Sequence, residues 1–345
     1  MTKNLSFAAD ADWHQLDGSS IVITGGTGSF GRRFVRKLLE KASPRRVAIL
    51  SRDELKQYEM AQDFSTHQKF DILRFLIGDV RDADRLEMAF RDVDHVIHAA
   101  ALKHVPIAEY NPFECVHTNV LGAENIVRAA IRNEVKTVVA LSTDKAANPI
   151  NLYGASKLAS DKIFVAGNSM SGSARTRFSV VRYGNVIGSR GSVVPLFRRL
   201  LEQGVEALPI TDARMTRFWI TLGQGVDFVA SSLAHMRGGE IFVPKIPSMK
   251  IVDLAEVMAP GRPQKIVGIR PGEKLHEVMI TEDDSRNTVE LKDRYVLQPA
   301  FPNWGTWRDY TETGAERVAD GFRYASDNNT QWLDPADLSR WLDAD

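Results

Sequence analysis

A chain of 345 residues with 43% hydrophobic content is long enough for a large core in one or two domains. Lys plus Arg and Asp plus Glu balance at 44 each, which excludes a broad basic face for nucleic acid but not a local basic pocket for an anionic substrate. The single cysteine, Cys115, excludes an intramolecular disulfide and fits a reducing compartment.

Residues 1–15 read as a loosely ordered, flexible tail. Met1 to Ser20 carries Lys3, Asp10, Asp12 and Asp17 and lacks the apolar core of a signal peptide. No later stretch reaches the roughly 20 apolar residues of a membrane helix. The expectation is a cytoplasmic protein with no membrane partner. Short apolar runs then alternate with longer amphipathic segments. Strands are expected at Ile21–Ile23, Arg46–Leu50, Phe75–Ile77, His95–His98, Thr137–Leu141 and Phe178–Arg182, with a helix continuing through Phe34–Lys41. That alternation predicts an α/β fold, a Rossmann doubly wound parallel sheet. Gly and Pro punctuate the second half. The organisation expected is a dinucleotide-binding domain over 16–185 and a mainly substrate-binding region over 186–345, with the chain crossing back to the sheet.

The first strand runs into Thr24-Gly25-Gly26-Thr27-Gly28-Ser29-Phe30-Gly31, in which Gly25, Gly28 and Gly31 have the spacing G-x-x-G-x-x-G. Glycine permits the tight turn and the approach of a pyrophosphate, and the helix N-terminus beyond supplies N–H groups to it. Thr27, Ser29 and Phe30 belong to the same cradle. The second strand ends in Ser51-Arg52-Asp53, with Lys56 one helical turn on. An NAD site wants a carboxylate at that strand end; Arg52 instead suits a 2′-phosphate, so NADP is expected, while Asp53 keeps NAD open. Asp79-Val80 after the third strand fits the adenine edge. Ala99, Ala100 and Ala101 after the fourth let the backbone pass close to the ribose and nicotinamide, and Lys103 follows where it can face cofactor or sugar.

Tyr153-Gly154-Ala155-Ser156-Lys157 contains Tyr-x-x-x-Lys, which puts both side chains on one helix face. The Lys157 ammonium is expected to lower the Tyr153 phenol, so that it takes a proton from a substrate hydroxyl while hydride leaves the same carbon. Leu141-Ser142-Thr143-Asp144-Lys145 ends the fifth strand upstream, and a Ser or Thr there can hydrogen-bond the same oxygen.

With the glycine motif, Ser142-Thr143 and Tyr153/Lys157 together, the chain resembles the extended short-chain dehydrogenase/reductase family. More narrowly, four segments resemble the soluble bacterial UDP-N-acetylglucosamine 4,6-dehydratases that invert C5 and start pseudaminic acid synthesis: Ser51–Gln57, Thr143–Pro149, Arg182–Val186 and Arg270–Lys274. The likeness runs from about 18 to 333. It implies C4 oxidation, loss of water across C5 and C6, and hydride return to C6, with NADP regenerated. It gives Lys145 as the base for the C5 hydrogen, Asp144 as the acid at C6 and Thr143 as a catalytic neighbour. A neutral Lys145 requires its pKa to be depressed, through burial or a neighbouring cation. Dehydratases that retain C5 place Asp-Glu where this chain has Asp144-Lys145.

Asn119 supports the active site by the same resemblance, and Arg270 and Glu273 are given to the UDP group and its ribose or uracil. Tyr183 is counted with the cofactor set. Asn185, Arg190, Val193, Thr211, Met215, Arg217 and Lys103 are counted with the substrate set, Arg because its fork matches phosphate oxygens. Arg214 is a further candidate; His98 and His104 read as structural. No cluster has metal-ligand spacing. The expected partners are UDP-N-acetylglucosamine and further copies of the chain. The competing readings are a C5-retaining UDP-sugar dehydratase, a UDP-sugar 4-epimerase, a sugar-nucleotide reductase and a dinucleotide sensor.

Overall fold

The computed structural model describes Phe7 and residues 11–189, 191–302 and 307–343. The first half alternates β1 (Ser20–Thr24), β2 (Arg46–Ser51), β3 (Leu73–Ile77), β4 (His95–His98), β5 (Thr137–Thr143) and β6 (Arg177–Tyr183) with α1 (Ser29–Lys41), α2 (Glu54–Phe64), α3 (Ala83–Ala89), α4 (Val105–Tyr110), α5 (Pro112–Val116), α6 (Gly122–Arg132) and α7 (Leu152–Met170). The second half adds β7 (Asn185–Val186), β8 (Leu208–Ile210), β9 (Thr216–Ile220), β10 (Ile241–Pro244), β11 (Ser248–Lys250), β12 (Gln264–Ile266), β13 (Val278–Ile280), β14 (Thr288–Glu290), β15 (Arg294–Leu297), β16 (Glu316–Arg317) and β17 (Tyr324–Ala325). Its helices are α8 (Val193–Glu202), α9 (Leu222–His235), α10 (Ile251–Met258) and α11 (Pro335–Asp343).

Among the described residues the main sheet runs β3-β2-β1-β4-β5-β6-β10 in parallel, and β15, β14 and β16 extend it antiparallel. Every residue of β1 and the whole Val47–Leu50 run of β2 are buried, because helices cover both faces. Hence these strands read as continuous apolar runs rather than alternating ones. The strand order reverses between β1 and β4. The loops leaving their carboxyl ends diverge there and open the crevice in which doubly wound sheets bind ligands.

The large core around this sheet takes in Phe34, Ile49, Phe164, Phe178, Phe228 and Phe242. A second core, with Ile187, Phe197, Trp219, Met249, Leu254 and Leu338, lies among β9, β11, α8, α10 and α11. Strands from the second half, β10, β15, β14 and β16, join the main sheet, so the chain does cross back.

The flexible-tail expectation needs correction at its described positions. Phe7 is fully buried with its ring 4.9 Å from that of Phe228, and Trp13 packs 5.4 Å from Phe34. Apolar burial on α1 and α9 holds this segment down; residues 1–6 and 8–10 lie outside those described. Among the described residues, no helix is long and apolar enough to cross a membrane.

Candidate active site

The crevice begins at the β1–α1 turn. Gly25 has φ +64°, and a Cβ there would lie 2.8 Å from the Ala100 Cα, so only glycine brings the turn this close to the β4 loop. Gly28 is the N-cap of α1 with no side-chain cap, which leaves the helix N-terminus open to an anion. Thr27 Oγ1 lies 2.8 Å from Ser51 Oγ and joins the two turns. Ala99 N donates to the Thr24 carbonyl at 3.1 Å and Ala100 N to Thr24 Oγ1 at 3.4 Å.

Beyond β2, the Asp53 carboxylate caps α2. It accepts from Lys56 N at 3.0 Å and from Lys56 Nζ at 2.5 Å, so it is already engaged. Arg52 is half-exposed, with its Nη1 3.4 Å from Asp79 Oδ2. Asp79 is held more tightly by Arg81, at 2.7 Å. Val80 is buried, and its carbonyl accepts from Asn125 Nδ2 at 3.1 Å. Lys103 is exposed on the segment after β4.

Tyr153 and Lys157 lie on the first turns of α7 and are both buried. Asn151 caps this helix by accepting from Gly154 N at 2.7 Å, and its Nδ2 donates to the Gly272 carbonyl at 2.8 Å. It thereby ties the helix to the Arg270–Lys274 loop. Gly154 sits where a Cβ would collide with the Lys145 carbonyl, so the absence of a side chain lets α7 lie directly on the turn after β5.

One expectation is reversed here. Burial pushes the Tyr153 phenol up to about 12 rather than below its ordinary range, and the largest downward pull comes from Lys145, joined by a hydrogen bond with Thr143. Burial also lowers Lys157, against the attraction of Asp161. Successive residues of β5 face opposite ways. Thr143 therefore meets Tyr153, while the Ser142 hydroxyl donates to Asp161 Oδ2 at 2.9 Å, where Arg182 Nη2 also sits at 3.2 Å. His98 is core as read: burial lowers it to about 3, and its Nδ1 lies 2.7 Å from Thr24 Oγ1. Asn119 is a hub in a π-helical turn, His117–Leu121, of the kind that recurs at functional sites. It exchanges two 2.9 Å bonds with the Leu102 backbone and donates to Ser156 Oγ at 2.9 Å.

The turn after β5 carries the densest charge. Asp144 Oδ1 accepts from the Thr143 hydroxyl at 2.9 Å and from Lys145 Nζ at 3.1 Å, and Oδ2 has no partner. Lys145 Nζ also lies 3.2 Å from Glu277 Oε1. Glu277, at the foot of β13, is 2% exposed. Its Oε1 is 3.7 Å from Arg217 Nε, and its Oε2 has no partner. Lys274 Nζ donates to the Ala147 carbonyl at 2.6 Å and closes the turn from its far end. Burial and the Glu277 charge raise Asp144 above the usual carboxylate range, against the pull of Lys145. Burial opposes the charge on Lys145, but Asp144 and Glu277 outweigh it, so its pKa rises. The depression that a neutral Lys145 requires is therefore not met by this surrounding, because its neighbours are carboxylates and not only cations.

The substrate candidates divide. Arg217 is buried and committed: its fork donates to the carbonyls of Thr216 at 2.7 Å, Lys274 at 2.9 Å and Leu275 at 3.1 Å, rather than standing open to a phosphate. Arg214 is exposed and clamped on Asp212 at 2.8 Å. Arg270 is 60% exposed, with its Nε 3.5 Å from Glu273 Oε2. Asn185 on β7 and Val193 at the start of α8 are half-buried, whereas Thr211, Met215 and Tyr183 are buried. Arg190 lies outside the described residues. Sequence reasoning missed Glu277, Asp161 and Asn151. The available signals were faint: an acid just before an apolar strand, an acid one turn after Lys157, and an N-cap residue two before Tyr153. Among the described residues, no group of His, Cys, Asp and Glu could hold a metal ion.

Comparison with known proteins agrees with this architecture. A family model described as polysaccharide biosynthesis protein matches residues 21–299. A relative from Campylobacter jejuni subsp. jejuni serotype O:23/36 (strain 81-176), UDP-N-acetylglucosamine 4,6-dehydratase (inverting), is 56% identical over 94% of this chain and 97% of its own. A UDP-glucose 4-epimerase from Rickettsia canadensis (strain McKiel) is 41% identical over 94% of this chain and 95% of its own. Among solved structures, DesIV, a dTDP-glucose 4,6-dehydratase from Streptomyces venezuelae with NAD and TYD bound, superposes with TM-score 0.66 at 26% identity, covering 74% of this chain and 86% of that one.

Proposed function

Because the chain belongs to the polysaccharide biosynthesis protein family of extended short-chain dehydrogenases/reductases, we propose that it is a UDP-N-acetylglucosamine 4,6-dehydratase that inverts C5, a hydro-lyase working with NADP. The observation that carries this reading is the ion pair of buried Asp144 with partly buried Lys145, beside Tyr153. A 4-epimerase needs neither a C5 base nor a C6 acid, and a C5-retaining dehydratase has Asp-Glu in this place.

A dinucleotide fits the residues present: the Gly25 cradle that a Cβ would fill, the uncapped α1 N-terminus, and Arg52 for a 2′-phosphate. Asp53, bound as the α2 cap, is poorly free to serve a ribose, which favours NADP over NAD. When bound, the oxidised nicotinamide would accept the hydride from C4 and place a positive charge near the phenol, and its reduced form would return that hydride to C6.

The side chains do the rest. Tyr153 takes the C4 hydroxyl proton, with Thr143 orienting that oxygen. The resulting ketone acidifies the C5 hydrogen. Lys145 passes one proton across 3.1 Å to Asp144: an N–H bond breaks, an O–H bond forms and both charges vanish. That single transfer leaves a lone pair for the C5 hydrogen and an acid for the C6 hydroxyl. Loss of water then restores the ion pair, since Lys145 gains the C5 proton and Asp144 gives its own to the leaving oxygen; the hydride added at C6 is matched by a solvent-derived proton added to C5 from the opposite face, which inverts that carbon. Arg270 and Glu273 are assigned to the UDP group. Oligomerisation, a cytoplasmic location and delivery of product to pseudaminic acid synthesis belong to the same reading and rest on likeness.

Incubation with UDP-N-acetylglucosamine and catalytic NADP in deuterated water, followed by proton NMR, tests it. The expected product is a 4-keto-6-deoxy sugar of L-arabino configuration with deuterium at C5. D-xylo product would overturn the inversion, and release of UDP-N-acetylgalactosamine without water loss would mean an epimerase.

A further inference from the structure

The proposed function leaves Glu277 without a task, although it is the closest carboxylate to Lys145 from outside its own turn. Its surroundings argue against a merely structural acid. If Glu277 served to neutralise Arg217, a bidentate pair with the guanidinium fork would be the stronger arrangement. Instead the fork donates to three backbone carbonyls, and only Nε faces Glu277, at 3.7 Å. The cation nearest Glu277 is Lys145, at 3.2 Å. The main chain that carries it is fixed as well, since Glu277 N donates to Ser326 Oγ at 2.9 Å and Ser326 Oγ lies 2.7 Å from Thr216 Oγ1.

Resting on that function, we propose that Glu277 is a positioning residue of the elimination step: it aims Lys145 Nζ and stabilises the ammonium that forms as Lys145 takes the C5 hydrogen. The physical logic is that of a base held by a third, charged group, which orients the base and favours its protonated form. A preorganised carboxylate in a dry pocket is most effective where charge develops during reaction. The charged groups facing Lys145 are Asp144 on its own turn, Glu277 and Lys274 from the segment before β13, and Arg217 from β9; the Tyr153 phenol faces it from α7. Burial opposes the charge on Glu277, but Lys145 first, then Arg217 and Lys274, hold its carboxyl below the usual range, which suits a group that holds a charge rather than trading a proton.

The test uses the full chain with UDP-N-acetylglucosamine and NADP. E277Q preserves shape and removes charge; E277D preserves charge and shortens reach. In E277Q, kcat is expected to fall on the order of 100-fold with KM little changed, in line with impaired general base catalysis. Reduced cofactor should build up in single turnover, because C4 oxidation survives while elimination stalls. The acid limb of the kcat–pH profile should move to lower pH, because the lost carboxylate no longer favours the ammonium. E277D should recover part of the rate. Wild-type kcat in E277Q, equal loss of C4 oxidation and elimination, or an unmoved acid limb would each overturn the inference while leaving the dehydratase standing. If the unaltered protein forms no 4-keto-6-deoxy sugar, the proposed function falls and this inference with it.

Discussion

At the cofactor end, Gly25, Thr27, Ser51 and Arg52 come from one strand–helix–strand stretch. The charged cluster beside Tyr153 draws Lys145, Arg217, Lys274 and Glu277 from segments far apart in the chain. The two regions differ in solvent as well. Arg52 is 53% exposed on its side chain and its ion pair with Asp79 is screened by water. Lys145 is 26% exposed, between carboxylates that are almost wholly buried. Charges attract far more strongly where water is excluded. On the proposed function, the nearby residues on the exposed turn would serve recognition, whereas the charges gathered from distant segments would serve the chemistry.

The largest effect is expected in the buried region. Replacing Lys145 by Met should cut formation of the 4-keto-6-deoxy sugar by about 10²–10⁴-fold, the usual reach of general base catalysis, while reduced cofactor still appears. NMR of the sugar and cofactor absorbance read the two steps separately, and surviving product would remove the base from the pocket. At the exposed region, Arg52→Ala should lower the preference for NADP over NAD by about 10- to 100-fold, the worth of a charged hydrogen bond of roughly 1.5–3 kcal/mol. Dissociation constants for both cofactors measure it, and an unchanged ratio would place 2′-phosphate recognition elsewhere. The smallest effect belongs to the cap that supports the buried region from α7. Asn151→Ala removes the α7 cap and its tie to Gly272 and should cost about 1 kcal/mol of stability, read as a lower urea midpoint. An unchanged midpoint would mean that the cap adds nothing beyond the packing of α7.

Much of the fold was legible because buried parallel strands leave uninterrupted apolar runs: Ile21–Ile23, Val47–Leu50 and Thr137–Leu141 needed no partner to be recognised. The tail was misread because Phe7 and Trp13 belong to no uninterrupted apolar run or clear periodicity, and only the surfaces of α1 and α9 give them somewhere to pack. Ser142 and Thr143 looked interchangeable in sequence; strand alternation sent one to Asp161 and the other to the Asp144 turn.

The chain by itself determined the order of elements, the glycine cradle and the placing of Tyr153 with Lys157, because each depends on spacing within a few residues. The tertiary structure alone decided the electrostatics. It packed the foot of β13 against the turn after β5, and so put Glu277 beside Lys145 and set the upward direction of that lysine's pKa. A pKa depends on burial and on every charge within a few ångströms, and sequence separation carries no record of either.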